Sequence, residues 1–77
     1  MVDLRREALI NKRQQRSWKQ GDVVDELKQQ FGLEISESYY GMIEQGVRTP
    51  NLQLGISIAE LFSVDAREIF FGQQPNS

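Results

Sequence analysis

The segment from Ser36 to Gly46 constrains the fold of this chain most, because it contains the start, the buried face and the end of one short helix. Ser36 can accept a backbone hydrogen bond as the N-cap, and Gly46 can adopt the left-handed conformation that ends many helices. Between these two residues, Tyr40 and Ile43 are three positions apart, which places both on one face of the helix. The segment therefore predicts a single helix with one face in a core.

The opposite face of this helix is mostly polar and carries Glu37, Ser38, Met42 and Gln45. A short helix with such an exposed face, preceded by another amphipathic helix, is typical of a DNA-reading helix-turn-helix. An ordinary core helix of a small bundle gives the same pattern. The segment alone leaves both interpretations open.

The composition argues against an enzyme. The chain lacks cysteine and histidine, which removes thiolate metal sites, the commonest metal ligand and the commonest general base. Asp22, Asp25 and Glu26 lie at the start of a predicted helix, where negative charge suits the helix dipole, so we interpret them as solvated residues. We expect no catalytic residues, metal, cofactor or small-molecule ligand.

The length and the hydropathy pattern predict one domain. With 77 residues, we expect a domain at 1–72 and a frayed tail at 73–77. No apolar run exceeds three residues, which is too short for the hydrophobic part of a signal peptide or for a membrane span. We therefore expect a cytoplasmic protein.

The charge is unevenly distributed along the chain. The formal net charge is −2, whereas a nucleic-acid-binding domain is expected to be basic. However, residues 1–19 carry a net +4 and residues 20–77 a net −6. This asymmetry suits a protein that meets phosphate along one surface, although a solvated basic helix would look the same.

Hydrophobic periodicity predicts five helices and no strand. The first runs from about Asp3 to Arg16, and the second begins between Trp18 and Gln20 and ends at Gly32. Ser17 with Gln20 resembles a capping box, but the start of the second helix stays open. The residues expected to be buried are Leu4, Ala8 and Leu9 in the first helix, Trp18 after it, and Val23, Val24, Leu27 and Phe31 in the second.

Two more helices follow the segment that ends at Gly46. Pro50 prevents further helix and Asn51 can cap the fourth, while Asp65 and Glu68 resemble a capping box that opens a short fifth helix through Phe71. The residues expected to be buried in the fourth helix are Leu52, Ile56, Ala59 and Phe62.

From about Leu9 to Phe70 the chain resembles the lambda-repressor-like, or XRE-type, helix-turn-helix family. The matching positions, in chain order, are Arg13, Trp18, Gln20, residues 36–46, Arg48, Pro50, Ile58, Ala59, Val64, Ile69 and Phe70. The resemblance implies an all-α, compact five-helix DNA-binding domain of the sort found in phage, plasmid and mobile-element repressors.

One departure from the family lies between Gln20 and Ser36, where this chain is longer. The second helix is extended, or a longer turn precedes the recognition helix. The additional residues could touch the phosphate backbone through Lys28, Gln29 or Gln30, or they could close a larger core through Phe31, Leu33 and Ile35. We favour the second interpretation.

The resemblance also implies roles for individual residues. Glu37, Ser38 and Met42 would read bases, since a carboxylate accepts from cytosine N4, a hydroxyl serves either role and a thioether packs on a thymine methyl. The residues expected to hold the DNA backbone are Gln20, Tyr39, Gln45, Arg48 and Thr49. Tyr39 fits the core equally well. Arg13 and Glu44 would form a structural ion pair.

These observations predict a sequence-specific DNA-binding transcriptional regulator, a repressor that binds a two-fold-related operator as a homodimer. Three consecutive apolar residues at 69–71 cannot all point inward from one short helix, so Ile69 and Phe71 are expected at the dimer interface. The alternative is a protein-interaction module on the same fold, an anti-repressor or dimerisation domain, whose acidic residues would suit a basic partner.

Overall fold

Five α-helices form the fold of residues 5–70, the part of the chain that the computed structural model describes. They are α1 (Glu7–Gln15), α2 (Gln20–Phe31), α3 (Glu37–Glu44), α4 (Leu52–Leu61) and α5 (Ala66–Ile69). These residues contain no strand. Because α1 packs against α3 and α5, and α2 against α3 and α4, the short α3 is held between α1 and α2. The predicted all-α, five-helix fold is confirmed.

Local capping residues set several helix ends as the sequence predicts. Ser36 and Asn51 each accept a hydrogen bond from the backbone N–H three residues further on, at 2.9 and 2.8 Å. Gly32 and Gly46 have φ of +68° and +80°, a conformation that few other residues adopt without strain. These four residues therefore fix the end of α2, both ends of α3 and the start of α4.

The first two helices begin later than predicted or are capped differently. α1 starts at Glu7, because Arg6 is already non-helical with φ −88° and ψ 81°, and the predicted start at Asp3 lies outside the described residues, as does Leu4. α2 starts at Gln20. The N–H of Lys19 donates to Asp22 Oδ2 at 2.8 Å, so Lys19 and not Ser17 caps the helix, and its start falls at the end of the interval left open by the sequence.

The core is built from α1 to α5 around one cluster of buried side chains. They are Leu9, Val23, Leu27, Tyr40, Ile43, Leu54, Ile58, Leu61, Phe62 and Ile69. Trp18, Val24 and Phe31 are partly buried against the cluster. Ala8, expected inside, is exposed.

The buried face of α4 also differs from the prediction. Leu52 and Ile56 are 63% and 42% exposed, although both were expected in the core. Leu54, Ile58 and Leu61 are buried instead. α4 has apolar residues on more than one face, and its packing against α2 and α5 decides which face turns inward.

The additional residues before α3 enlarge the core. α2 continues to Phe31, and a short connection follows in which half-buried Leu33 and Ile35 alternate with exposed Glu34. Phe31, Leu33 and Ile35 all pack against the core cluster, as favoured from the sequence. Lys28 is exposed and lies 3.5 Å from the carboxylate of Glu34.

Candidate nucleic-acid interface

One face of α3 borders an open cleft of about 520 Å³ between α3 and the start of α2. The cleft is lined by Gln20, Glu37, Ser38, Gly41, Met42 and Gln45. Positions 37, 38, 41, 42 and 45 follow helical spacing, so all five lie on the side of α3 that faces away from Tyr40 and Ile43. Glu37, Ser38 and Gln45 are exposed and Met42 is half-buried. The structure thus brings together the three side chains expected to read bases.

A buried ion pair fixes the other end of α3. Arg13 Nε and Nη2 donate to the two carboxylate oxygens of Glu44, at 2.6 and 3.0 Å. The side chains are 14% and 3% exposed, respectively. The hydrogen bond to Glu44 raises the pKa of Arg13. A bidentate pair of this kind fixes direction as well as distance, so it sets the orientation of α3 relative to α1.

Gln20 extends this pair towards the cleft. Its Nε2 donates to Glu44 Oε1 at 3.0 Å, and its side chain lies against Gly41, where a Cβ would be 3.2 Å from Gln20 Oε1. Gln20, expected to hold a phosphate, therefore uses its amide nitrogen within the protein. It ties the first residue of α2 to the last residue of α3.

Arg6 has a structural role that was not predicted from the sequence. Its Nη1 donates to the carbonyl oxygens of Ile43 and Arg48 at 2.6 and 3.0 Å, and its Nη2 to Thr49 Oγ1 at 3.4 Å. The guanidinium also lies 5.2 Å from the ring centroid of Phe70, and burial lowers its pKa. Arg6 thus fixes the end of α3 and the loop after it, and no local pattern marks it for this role.

Arg16 has a similar role at the end of α4. Its Nη1 donates to the carbonyl oxygen of Leu61 at 2.6 Å, and its guanidinium lies 5.2 and 5.0 Å from the ring centroids of Trp18 and Phe62. Together with Arg6 and Arg13, it directs its charge to protein groups. Three of the six basic residues at 1–19 thus have donors bound within the fold, although Arg16 remains exposed.

The remaining predicted residues lie in different environments. Arg48 and Thr49 are exposed in the loop between α3 and α4. Tyr39 is half-buried and packs against the core. Ile69 is 9% exposed within the core, which argues against a role at an interface, and Phe71 lies outside the described residues.

A short helix with an exposed polar face, oriented by the helix before it, is the arrangement found in DNA-binding helix-turn-helix domains. A family model described as helix-turn-helix matches residues 9–69, and the chain belongs to this XRE-type family of DNA-binding transcription regulators. Comparisons with curated proteins and with solved structures gave no significant match.

Within residues 5–70, the helices are too short or too polar to span a membrane, and no cluster of carboxylates could hold a metal ion.

Proposed function

We propose that this protein is a sequence-specific transcriptional repressor that binds a two-fold-related operator as a homodimer. The observation that carries the proposal is the cleft face of α3. It presents Glu37, Ser38 and Met42 together, while the opposite face is held by the core and by Glu44. A helix anchored in this way can enter the major groove with its first turn towards the bases.

Each of the three side chains has a matching group on a base edge. Glu37 accepts from cytosine N4, Ser38 donates or accepts, and the thioether of Met42 packs on a thymine methyl. A good contact of this kind discriminates against the wrong base by about 1–3 kcal/mol. Glu37 and Ser38 lie in the first turn of α3, where side chains reach furthest into the groove.

The DNA backbone is held by residues around this helix. Arg48 and Thr49 lie in the loop that Arg6 fixes, so a phosphate meets a loop that is already ordered. Gln45 is exposed at the end of α3, and Tyr39 can present its hydroxyl from the edge of the core. Gln20 contributes from the N-terminus of α2, where backbone N–H groups favour an anion.

Dimerisation supplies the affinity that one domain lacks. A domain with net charge −2 and few free cations makes few phosphate contacts, whereas two linked half-sites raise affinity steeply. Because Ile69 is buried, we propose that Phe71 contributes to the interface without it. Large apolar side chains are also exposed at Val47, Leu52 and Ile56. Sedimentation should show that the wild-type protein self-associates and that Phe71→Asp weakens this association. A wild-type protein that stays monomeric on operator DNA would contradict the proposed dimer.

Selection of bound DNA from a random pool tests the reading function. Wild type should enrich a motif with two inverted half-sites. Glu37→Ala and Ser38→Ala should each change the preferred base at one position per half-site, whereas Arg48→Ala should weaken all sequences alike and reduce the salt slope by about one. Failure of wild type to enrich any motif would refute the proposal. A reporter promoter that carries the motif should then be transcribed less when the protein is present.

One observation favours a second candidate, a protein-interaction module on the same fold. Because Arg6 and Arg13 are partly buried and bound within the protein, less positive charge reaches the exposed surface than the sequence alone indicates. Such a surface suits a basic protein partner. A DNA affinity that falls steeply with salt supports the repressor, and an absence of DNA binding at every salt concentration supports the module.

A further inference from the structure

Two glycines leave room for polar side chains between α2 and α3: Glu37 of α3 lies against Gly21 of α2, and Gln20 of α2 lies against Gly41 of α3. A Cβ built on Gly21 would lie 3.1 Å from Oε1 of Glu37, and one built on Gly41 would lie 3.2 Å from Oε1 of Gln20. Both separations are shorter than ordinary van der Waals contact, so the neighbouring side chain would have to move by a few tenths of an ångström. Each helix thus receives a polar side chain of the other against its glycine.

We propose that Gly21 is a specificity-determining residue that acts by positioning the carboxylate of Glu37. The inference rests on the proposed function, because it concerns how the first turn of α3 reads a base. Glu37 is exposed and has several rotatable bonds. A side chain at position 21 would crowd the orientation in which the Glu37 carboxylate lies against α2, whereas glycine leaves that orientation open before DNA arrives.

The backbone does not explain a glycine at this position. The glycines with positive φ in residues 5–70 are Gly32 and Gly46. Gly21 lies in the first turn of α2, where glycine weakens the helix relative to alanine. What glycine provides there is room for the Glu37 carboxylate. The helix is therefore weakened at a point where a base-reading side chain is placed.

Selection from a random DNA pool tests this with wild type, Gly21→Leu, Glu37→Ala and the double variant. Leucine fills the space but favours helix, so the fold should be kept. We expect Gly21→Leu to change base preference at the same operator position as Glu37→Ala, with a loss of discrimination of about 5- to 100-fold. Added to Glu37→Ala, it should change no further base. An unchanged preference in Gly21→Leu, or a further change in preference when Gly21→Leu is added to Glu37→Ala, would overturn the proposal.

Gln29→Leu is the matched control, because it adds the same side chain at an exposed position of α2, roughly 12 Å along the helix from Gly21. It should leave the motif unchanged. The second measurement needs no DNA: nuclear Overhauser contacts between Gly21 Hα and the Glu37 side chain are expected in the free protein. Their absence would overturn the positioning role even if wild type selects a motif. If wild type selects none while the contacts are present, the proposed function fails and the geometry stands.

Discussion

Replacing Glu44 with alanine removes a carboxylate that accepts two hydrogen bonds from Arg13 and one from Gln20. Arg13 would keep its bond to the carbonyl of Trp18, but its charge would stay largely out of water without a counter-charge. Breaking one partner of a buried pair costs about 3–5 kcal/mol. The free energy of unfolding of a domain of this size is roughly 4–12 kcal/mol. Glu44→Ala should therefore remove a large part of the stability.

Thermal and urea unfolding, followed by circular dichroism, measure the loss. Since 1 kcal/mol corresponds to about 4–8 °C in a small domain, Tm should fall by at least about 12 °C. Glu34→Ala is the control, because this carboxylate lies 3.5 Å from Lys28 in a pair whose side chains are 66% and 73% exposed. It should change stability by less than about 1 kcal/mol. Equal losses for the two variants, or an unchanged Tm for Glu44→Ala, would refute the reasoning.

A double variant separates the charge from the shape of the pair. Arg13→Met with Glu44→Leu replaces both partners with apolar side chains, which leaves no buried charge uncompensated. We expect it to be more stable than Glu44→Ala. If it is equally unstable, the loss in Glu44→Ala arises from packing and not from the charge left on Arg13.

Two further substitutions and one pH titration test the contacts of Arg6, Tyr40 and Asp65. Arg6→Lys should destabilise the domain by about 1–3 kcal/mol in urea unfolding, because an ammonium cannot reproduce the guanidinium fork that reaches two carbonyls and a hydroxyl; an unchanged midpoint would mean that these bonds contribute nothing. Tyr40→Phe should be neutral or stabilising by up to about 1 kcal/mol, because the buried hydroxyl lies near the Glu44 carboxylate without a hydrogen bond of ordinary geometry, and burial together with that carboxylate raises its pKa; a clear loss of stability would mean that the hydroxyl does donate to Glu44. The hydrogen bond from Arg67 lowers the pKa of Asp65 from its usual value, so the contribution of this pair to stability is complete above the usual pKa and is lost as the pH falls through the lowered one; an NMR titration in which the folded Asp65 carboxyl ionises at or above the pKa of an unfolded aspartate would contradict this.

Helix ends could be predicted because their causes are local. Ser36, Asn51, Gly32 and Gly46 act on backbone groups within a few residues, so their chemistry is visible in a short stretch of sequence. The family resemblance added the order of the helices and the pairing of Arg13 with Glu44, which lie 31 positions apart. In the structure these two side chains form a bidentate ion pair.

The partners of the other arginines could not be predicted. Arg6 and Arg16 bind carbonyl oxygens 37 and 45 positions away, and backbone acceptors leave no mark on the sequence. The same limit applies to α4. Leu52 and Ile56 satisfy helical spacing as well as Leu54 and Ile58 do, and only packing against the neighbouring helices distinguishes the two faces. At the candidate site, the room beside Gly21 depends on the approach of two helices, which no spacing rule describes.

The contacts of Arg13 in α1, and of Arg6 and Arg16 at its two ends, also determine how readily this helix detaches. Leu9 is its one buried residue, so the helix is attached largely through Arg6, Arg13 and Arg16 and through the hydrogen bond from the Arg6 N–H to the carbonyl of Glu44. Brief detachment of α1 exposes little apolar surface, and its amide protons should exchange with solvent faster than those of α2. Each such opening removes the contacts of Arg6 and Arg13 with the end of α3 and the loop after it, so this end of α3 is then held by α2 and Gln20 alone.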